Sequence, residues 1–365
     1  MTEAVFIFAF MNALQNIRAL DLSSLKVFFE ELGDKKFRAI QTYEWLWKKN
    51  IYSFDDITNL PLATRNMLKE KFVLNTLTVE GAQHSNDGTF KSRFKTNDGY
   101  FIEGVIIPTD KRYTACVSSQ IGCSLSCKFC ATGLMERKRN LGFDEIYAQV
   151  AMMHEQSEKL YGSKLSNIVY MGMGEPLLNY KNVLKSIERI TAADSMAMSP
   201  KRITVSTAGV AKMIKQLGDD DVKFNLALSL HAATDEKRDR IMGINETNNI
   251  NALVDALNYF YTKTKNDITL EYVLLQGEND SLEDAKELVK IYRKIPTHLV
   301  NVIEYNTVAG IDFIKSDEDS TLAFTKYLAD NKVNVRLRRS RGKDIDAACG
   351  QLANKGELEK AENLM

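Results

Sequence analysis

From about residue 113 the chain alternates between two hydrophobic periods, and that alternation limits its fold more than any other feature. Short period-two runs at residues 114–118, 167–171, 203–206, 225–229, 269–274, 300–304 and 333–338 read as strands. Helical spacing fills the intervals near 144–158, 181–192, 251–263, 281–295 and 320–330. Strand–helix alternation implies a parallel sheet covered by helices. About six such units predict an α/β fold, a partial (β/α)6 barrel over residues 113–342, with its chemistry at the carboxyl ends of the strands. Residues 1–78 read as a small helical accessory domain. There Leu25, Phe28, Phe29 and Leu32 recur at helical spacing before Gly33, Phe37 to Trp47 makes a second helix, and Asn59-Leu60-Pro61 opens a third. Residues 79–112 form a β-hairpin extension, because 91–95 and 100–107 flank the turn signal Asn97-Asp98-Gly99. Residues 343–365 remain as a C-terminal segment whose last residues are polar and frayed.

With 44% apolar and 26% charged residues, the composition excludes a disordered or fibrous chain. Acidic and basic residues number 48 each, so global charge gives no hint of a nucleic acid and any such surface must come from local clustering. No apolar run reaches the roughly 18 residues that span a bilayer. The stretch Ala4 to Phe10 lacks the basic start and small-residue end of a signal peptide. A cytoplasmic protein with no membrane partner is expected, and Met11 is an alternative start to Met1.

Four of the five cysteines cluster at Cys116, Cys123, Cys127 and Cys130, and the fifth is Cys349. A secreted disulfide framework would be denser and even-numbered. Cys123, Cys127 and Cys130 stand as Cys-x3-Cys-x2-Cys just after the first barrel strand. Three thiolates can hold three irons of a [4Fe–4S] cluster, and the fourth iron stays open. An open iron can chelate the amino and carboxylate groups of S-adenosylmethionine (SAM) and deliver an electron into its sulfonium. The alternative is a structural zinc site with Cys116 as fourth ligand, in a non-catalytic RNA-binding protein. Zinc cysteines usually come in two short knuckles, which this spacing lacks.

Met171-Gly172-Met173-Gly174-Glu175-Pro176 ends the second barrel strand and resembles the Gly-Glu-Pro motif of the radical SAM superfamily. Further segments resemble the RlmN/Cfr family of radical SAM RNA adenine methyltransferases, and its RlmN branch most closely. They are Phe37-Arg38-Ala39-Ile40-Gln41, Ala115 to Cys123, Val205-Ser206-Thr207-Ala208-Gly209, Ser229-Leu230-His231-Ala232 and Arg341 to Leu352. The departures are local: Thr307-Val308-Ala309 stands where a proline-rich turn is usual, and Gly243 where the family often has proline.

The resemblance implies a radical SAM partial (β/α)6 barrel that methylates carbon 2 of adenine in 23S rRNA, before full ribosome assembly, and in tRNA 3′ of the anticodon. A carbon-8 methyltransferase of the Cfr type is the alternative. It implies a [4Fe–4S] cluster on Cys123, Cys127 and Cys130, two SAM molecules per turnover, and an electron donor such as flavodoxin or ferredoxin. Cys349 would take a methyl from one SAM, and the second SAM would be cleaved to a radical that activates that methyl for addition to the ring. Cys116 would resolve the protein–RNA adduct and leave a disulfide with Cys349, and Glu103 would accept the proton. Gly174, Glu175, Ser206, Ser229, Leu230, His231 and Asn306 would line the SAM pocket; as residues alone, several of these are ordinary caps and turns. Glu103 shares its strand face with Phe101, Val105 and Ile107, which suits a base or a buried ion pair equally. Two basic runs flank the centre: Arg137-Lys138-Arg139, and Arg336, Arg338, Arg339, Arg341 and Lys343. Lys35, Lys36, Arg38, Lys48 and Lys49 lie near Trp45 and Trp47 in the helical domain. All are candidate phosphate contacts.

Overall fold

The computed structural model describes residues 14–110, 112–354 and 359–360. The expectations about Met1, Met11 and most of the chain's last residues concern positions outside that set. Helices α1 (Leu22–Glu31), α2 (Lys36–Trp47) and α3 (Leu62–Lys71) come first. The side chain of Asp21 accepts from the Ser24 amide and starts α1; Gly33, at φ 68°, turns the chain after it. Helix α2 buries Ala39, Thr42, Leu46 and Trp47.

Ten strands follow in one sheet: β1 (Thr78–His84), β2 (Phe90–Lys95), β3 (Phe101–Thr109), β4 (Arg112–Cys116), β5 (Asn167–Tyr170), β6 (Ile203–Thr207), β7 (Asn225–Ser229), β8 (Ile268–Leu274), β9 (Leu299–Glu304) and β10 (Val335–Arg338). Their spatial order is their chain order, with Glu359–Lys360 added antiparallel to β1. Strands β1 to β4 pair antiparallel, and β4 to β10 pair parallel. Strand β4 is therefore the join: its Cys116 lies opposite Val105 on one side and Val169 on the other. The sheet does not close, since β10 is one of its edges. Helices α4 (Phe143–Tyr161), α5 (Tyr180–Thr191), α6 (Ala211–Asp219), α7 (Asp235–Ile241), α8 (Ile250–Thr264), α9 (Leu282–Tyr292) and α10 (Glu318–Asp330) make the crossovers.

Spacing alone does not predict α6 and α7. Helix α6 has one short apolar stripe, Ile214 and Leu217, and α7 reads as a run of charges begun by the Thr234 cap. The first barrel strand begins and ends two residues earlier than expected, since Val117 to Ser119 already lie outside it.

The helical domain is seated on α4 by aromatic packing. Trp47 is 2% exposed. Its ring stacks on Phe143 at 6.1 Å and meets the edge of Tyr147 at 5.0 Å, the Arg189 guanidinium lies over it at 4.6 Å, and the Tyr147 hydroxyl donates to the Trp47 carbonyl. Beside it, buried Arg18 donates to the carbonyls of Asn75 and Ile51 and to Asn50 Oδ1 at 3.2–3.3 Å. These bonds offset the burial that pushes the Arg18 pKa down. Removing the Trp47 ring leaves a cavity at this joint, so Trp47→Ala should cost about 3–5 kcal/mol. The check is a fall in the urea midpoint of the unfolding transition; an unchanged midpoint would contradict the role given to this contact.

Candidate active site

Strand β4 delivers the chain into the cysteine loop at the carboxyl end of the sheet. Cys123, Cys127 and Cys130 all line one cleft, of about 1030 Å³, together with the loop after β5 and the ends of β6 and β7. Burial pushes the Cys123 thiol up to about 11. Burial and repulsion from Cys130 and Cys123 push Cys127 up further. Buried thiols that penalise one another's ionisation are a donor set suited to a shared cationic centre.

Among the described residues no three His, Cys, Asp or Glu side chains converge as a single ion requires. A cluster that gives each thiolate its own iron needs no such convergence, so the three thiols fit it. Cys116 does not line this cleft but a second cavity, which Cys130 and Cys349 also line.

The Gly172–Pro176 turn packs directly on the strand end at 117–120. A Cβ on Gly172 would sit 2.7 Å from the Val117 carbonyl, and one on Gly174, at φ 92°, would overlap Gln120. Glycine is required at both positions. Glu175 is 3% exposed. Its carboxylate accepts from the amides of Leu177 at 3.0 Å and Ala208 at 2.8 Å, and its own amide donates to Gln120 Oε1 at 2.8 Å. This carboxylate fastens the β5 loop to the end of β6 while lining the cleft, and burial raises its pKa against those bonds.

Ser206 and Ser229 face the same cleft with their hydroxyls 3.3 Å apart. His231 also lines it; its Nδ1 accepts from the Val273 amide at 3.0 Å, and Phe129 packs edge-on at 4.8 Å. Burial and the Arg238 charge push its pKa down to about 3, so the ring is neutral. Two expected pocket residues lie elsewhere. Leu230 is buried in the main hydrophobic core, because adjacent residues at a strand end point to opposite sides. Asn306 does not line the cleft: its side-chain amide donates to the Cys349 carbonyl at 3.2 Å and to that of Glu304 at 3.4 Å.

Cys349 is exposed, stands in the cleft wall beside the three loop cysteines, and also lines the second cavity with Cys116. All five cysteines are free thiols, so the expected Cys116–Cys349 disulfide is absent here. In the expected chemistry it belongs to the enzyme after turnover, not to the resting protein. Glu103 is fully buried and lines neither cavity. Its Oε2 accepts from the amides of Ala353 and Asn354, each at 3.0 Å, and its Oε1 lies 3.5 Å from Lys91 Nζ. The segment that carries Cys349 therefore also covers Glu103.

Several candidate phosphate contacts are engaged within the protein. Arg139 joins Asp98 at 2.6 Å and Glu145 at 2.7 Å. Arg38 joins Asp34 at 2.5 Å, and Lys36 joins Glu30 at 2.6 Å. Lys49 lies 3.8 Å over the Trp45 ring. Lys343 pairs with Glu304, and Arg339 with Glu318 at 3.2 Å.

Sequence reasoning passed over Glu271 and Asn301 and took Arg338 only as a candidate phosphate contact. Buried Glu271 of β8 and Asn301 of β9 and half-buried Arg338 of β10 form a polar set inside the barrel. Asn301 Nδ2 donates to Glu271 Oε1 at 2.7 Å, and Arg338 Nη1 donates to Glu271 Oε2 at 3.2 Å. Burial works against the Arg338 charge, but the Cys349 thiol and the Glu271 carboxylate outweigh it and raise its pKa. An acid at the centre of the apolar run Leu270-Glu271-Tyr272-Val273 was the available signal.

Two family models match the chain: the ribosomal RNA large subunit methyltransferase N-terminal domain over residues 15–74, and the radical SAM superfamily over residues 117–289. A probable dual-specificity RNA methyltransferase RlmN from Cytophaga hutchinsonii is 54% identical over 339 residues, covering 93% of each chain. The dual-specificity RNA methyltransferase RlmN 2 of Myxococcus xanthus is 43% identical over 352 residues, covering 95% of this chain and 92% of that one. The crystal structure of a radical SAM methyltransferase from Sphaerobacter thermophilus superposes with a TM-score of 0.88 at 35% identity, over 93% of this chain and all of that one. The fold is thus the radical SAM fold. Among the described residues no helix is long and apolar enough to cross a membrane.

The two thiols outside the loop differ sharply. Burial pushes Cys116 up to about 12, so roughly one molecule in 10,000 carries that thiolate at pH 8. In cluster-free protein at pH 8, iodoacetamide should label Cys349 and leave Cys116 unlabelled, as read by peptide mass. Equal labelling of the two would contradict this geometry.

Proposed function

The chain belongs to the RlmN family of radical SAM RNA methyltransferases, and on that premise we propose that it methylates carbon 2 of adenine in ribosomal and transfer RNA through a methyl group carried on Cys349. The observation that carries the reading is the placement of Cys349 in the wall of the cleft that holds Cys123, Cys127 and Cys130. The names of the relatives, which specify dual specificity, support RNA of two kinds as substrate.

Cys123, Cys127 and Cys130 would hold a [4Fe–4S] cluster. When bound, the cluster with SAM supplies the single electron and the radical that the inert carbon 2 requires. Gly174, Glu175, Ser206, Ser229 and His231 bound the space for SAM. Glu175 does so while tied to two amides, and neutral His231 adds no charge to repel the sulfonium. Asn306 acts through Cys349: its bond to the Cys349 carbonyl orients the thiol toward the cleft. Cys349, exposed, would take the methyl by attack of its sulfur on the methyl carbon of SAM, with S-adenosylhomocysteine as the leaving group. Cys116, buried and ionised only at high pH, waits in the second cavity and resolves the adduct by attacking the Cys349 sulfur.

Glu103 accepts the proton in this reading. Since Ala353 and Asn354 cover it, it serves only when the segment bearing Cys349 shifts away from β3. A low-potential protein such as flavodoxin or ferredoxin donates the electron, and the chain works in the cytoplasm on 23S rRNA before ribosome assembly is complete.

Substitution separates the roles. Cys127→Ala should lose iron, visible absorbance and 5′-deoxyadenosine formation together. Cys349→Ala should keep its iron and make no methylated RNA. Cys116→Ala should form the carbon–carbon bond and stall, leaving protein covalently attached to RNA on a denaturing gel. With deuterated-methyl SAM in a single turnover, the first product should carry the unlabelled methyl already on Cys349. Label in that first product, or methylation by Cys349→Ala, would overturn the reading.

A further inference from the structure

The cluster-side cleft and the second cavity, of about 1930 Å³, meet at a neck, and Glu271, Arg338 and Cys349 are among the residues that line both. Glu271 is 3% exposed and Asn301 8%. Each Glu271 oxygen already has a protein donor, Asn301 on one and Arg338 on the other. Asn301 Oδ1 is buried with no partner, and Asn301 lines the second cavity. A buried amide oxygen without a donor is costly unless a ligand supplies one. The Arg338 guanidinium has five N–H groups and directs one at Glu271. Cationic donors, a carboxylate and an unsatisfied acceptor thus stand bonded together in the cavity that Cys349 also lines.

We propose that Arg338, Glu271 and Asn301 read the Watson–Crick edge of the target adenine; the proposal rests on the RNA reading above and names how that site chooses its base. On adenine, carbon 2 is followed along the edge by the acceptor N1 and then by the exocyclic amine with its two N–H donors. With carbon 2 at Cys349, N1 meets the Arg338 guanidinium, and the amine donates to the Glu271 carboxylate and to Asn301 Oδ1. Guanine offers the reverse pattern, an N1–H toward Arg338 and a carbonyl oxygen against Glu271, and is rejected by unpaired buried groups. Arg338 has a second effect: a cation held against N1 draws electron density from carbon 2 and makes it a better acceptor of a carbon radical. The base enters through the second cavity, which carries Arg112, Arg336 and Arg341 for the backbone phosphates and Asp267 as its other carboxylate.

The test uses cluster-loaded enzyme carrying the methyl on Cys349 and two RNAs that differ only at the target, adenosine or purine ribonucleoside, which lacks the amine. Single-turnover methylation and RNA affinity are both measured. Purine is the more electron-poor ring, so a slower reaction is not an electronic effect. Native enzyme should methylate the purine RNA about 10- to 100-fold more slowly, the loss of charge-assisted hydrogen bonds. Glu271→Gln should shrink that ratio to about threefold or less by slowing adenosine, and should still acquire its methyl on Cys349, seen by peptide mass. Equal rates for the two RNAs with native enzyme overturn the proposal while leaving the methyltransferase reading intact. An undiminished ratio in a folded Glu271→Gln protein overturns it too, because another group must then read the amine. Failure of native enzyme on adenosine RNA removes the reading on which the proposal rests, and the proposal with it.

Discussion

The active centre depends on how residues 342–354 are pinned across the open side of the barrel. Three parts of the molecule hold this segment. From the hairpin extension, Asp87 accepts from the Gly342 amide at 2.9 Å, Ser85 donates to Asp344 at 2.6 Å, and Glu103 accepts from the amides of Ala353 and Asn354. From the cysteine loop, the Ala131 amide donates to the Gly350 carbonyl at 2.7 Å and the Thr132 hydroxyl to that of Leu352 at 2.6 Å. From the end of β9, Asn306 holds the Cys349 carbonyl. None of these bonds is strong alone, each contributing about 0.5–1.5 kcal/mol or somewhat more where a carboxylate accepts. Together they fix one exposed thiol between two cavities.

That arrangement gives the hairpin extension a purpose. Strand β4 is antiparallel to β3 and parallel to β5, so one strand joins the barrel to a meander that supplies the anchors for the C-terminal segment. The same join places Cys116 opposite Val105, lining the second cavity but not the cleft that all three loop thiols share. Chemistry that needs five cysteines in three roles is thereby sorted by geometry. Four thiols line one cleft, Cys116 lines only the second cavity, and Cys130 and Cys349 line both.

The polar set at the neck is the main departure from an ordinary barrel interior. Strands β8 and β9 bury Leu270, Tyr272, Val300 and Val302 on one side, as a helix-covered parallel sheet should. On the other side they turn Glu271 and Asn301 toward the lumen, where β10 adds Arg338. Burying a carboxylate is unfavourable unless it is paired, and here it is paired on both oxygens.

Much of this was legible in the chain. Residues 114–338 carry the alternation that demands a parallel sheet, since the period switches between two and 3.6 whatever the packing. The Cys-x3-Cys-x2-Cys spacing determines a three-thiolate site by local chain geometry, and Gly172 and Gly174 mark a turn no side chain would fit. Short helices such as Asp235–Ile241 escaped because charge patterns do not distinguish a capped helix from a loop. The family resemblance implies Leu230 and Asn306 in the pocket, but which way a side chain points at a strand end depends on register and on neighbouring loops. Glu103 illustrates the limit: alternation places it on an apolar face, yet only the fold supplies Lys91 and the amides of Ala353 and Asn354. The sequence by itself determined the fold class, the donor set and the turn that borders it, because those follow from period, spacing and sterics within a few residues. Only the tertiary structure decided that Cys349 lines the cleft of the three loop thiols, that Cys116 does not, and that Glu271, Asn301 and Arg338 bond to one another. Those contacts join residues far apart along the chain, and their partners are set by strand register and loop packing.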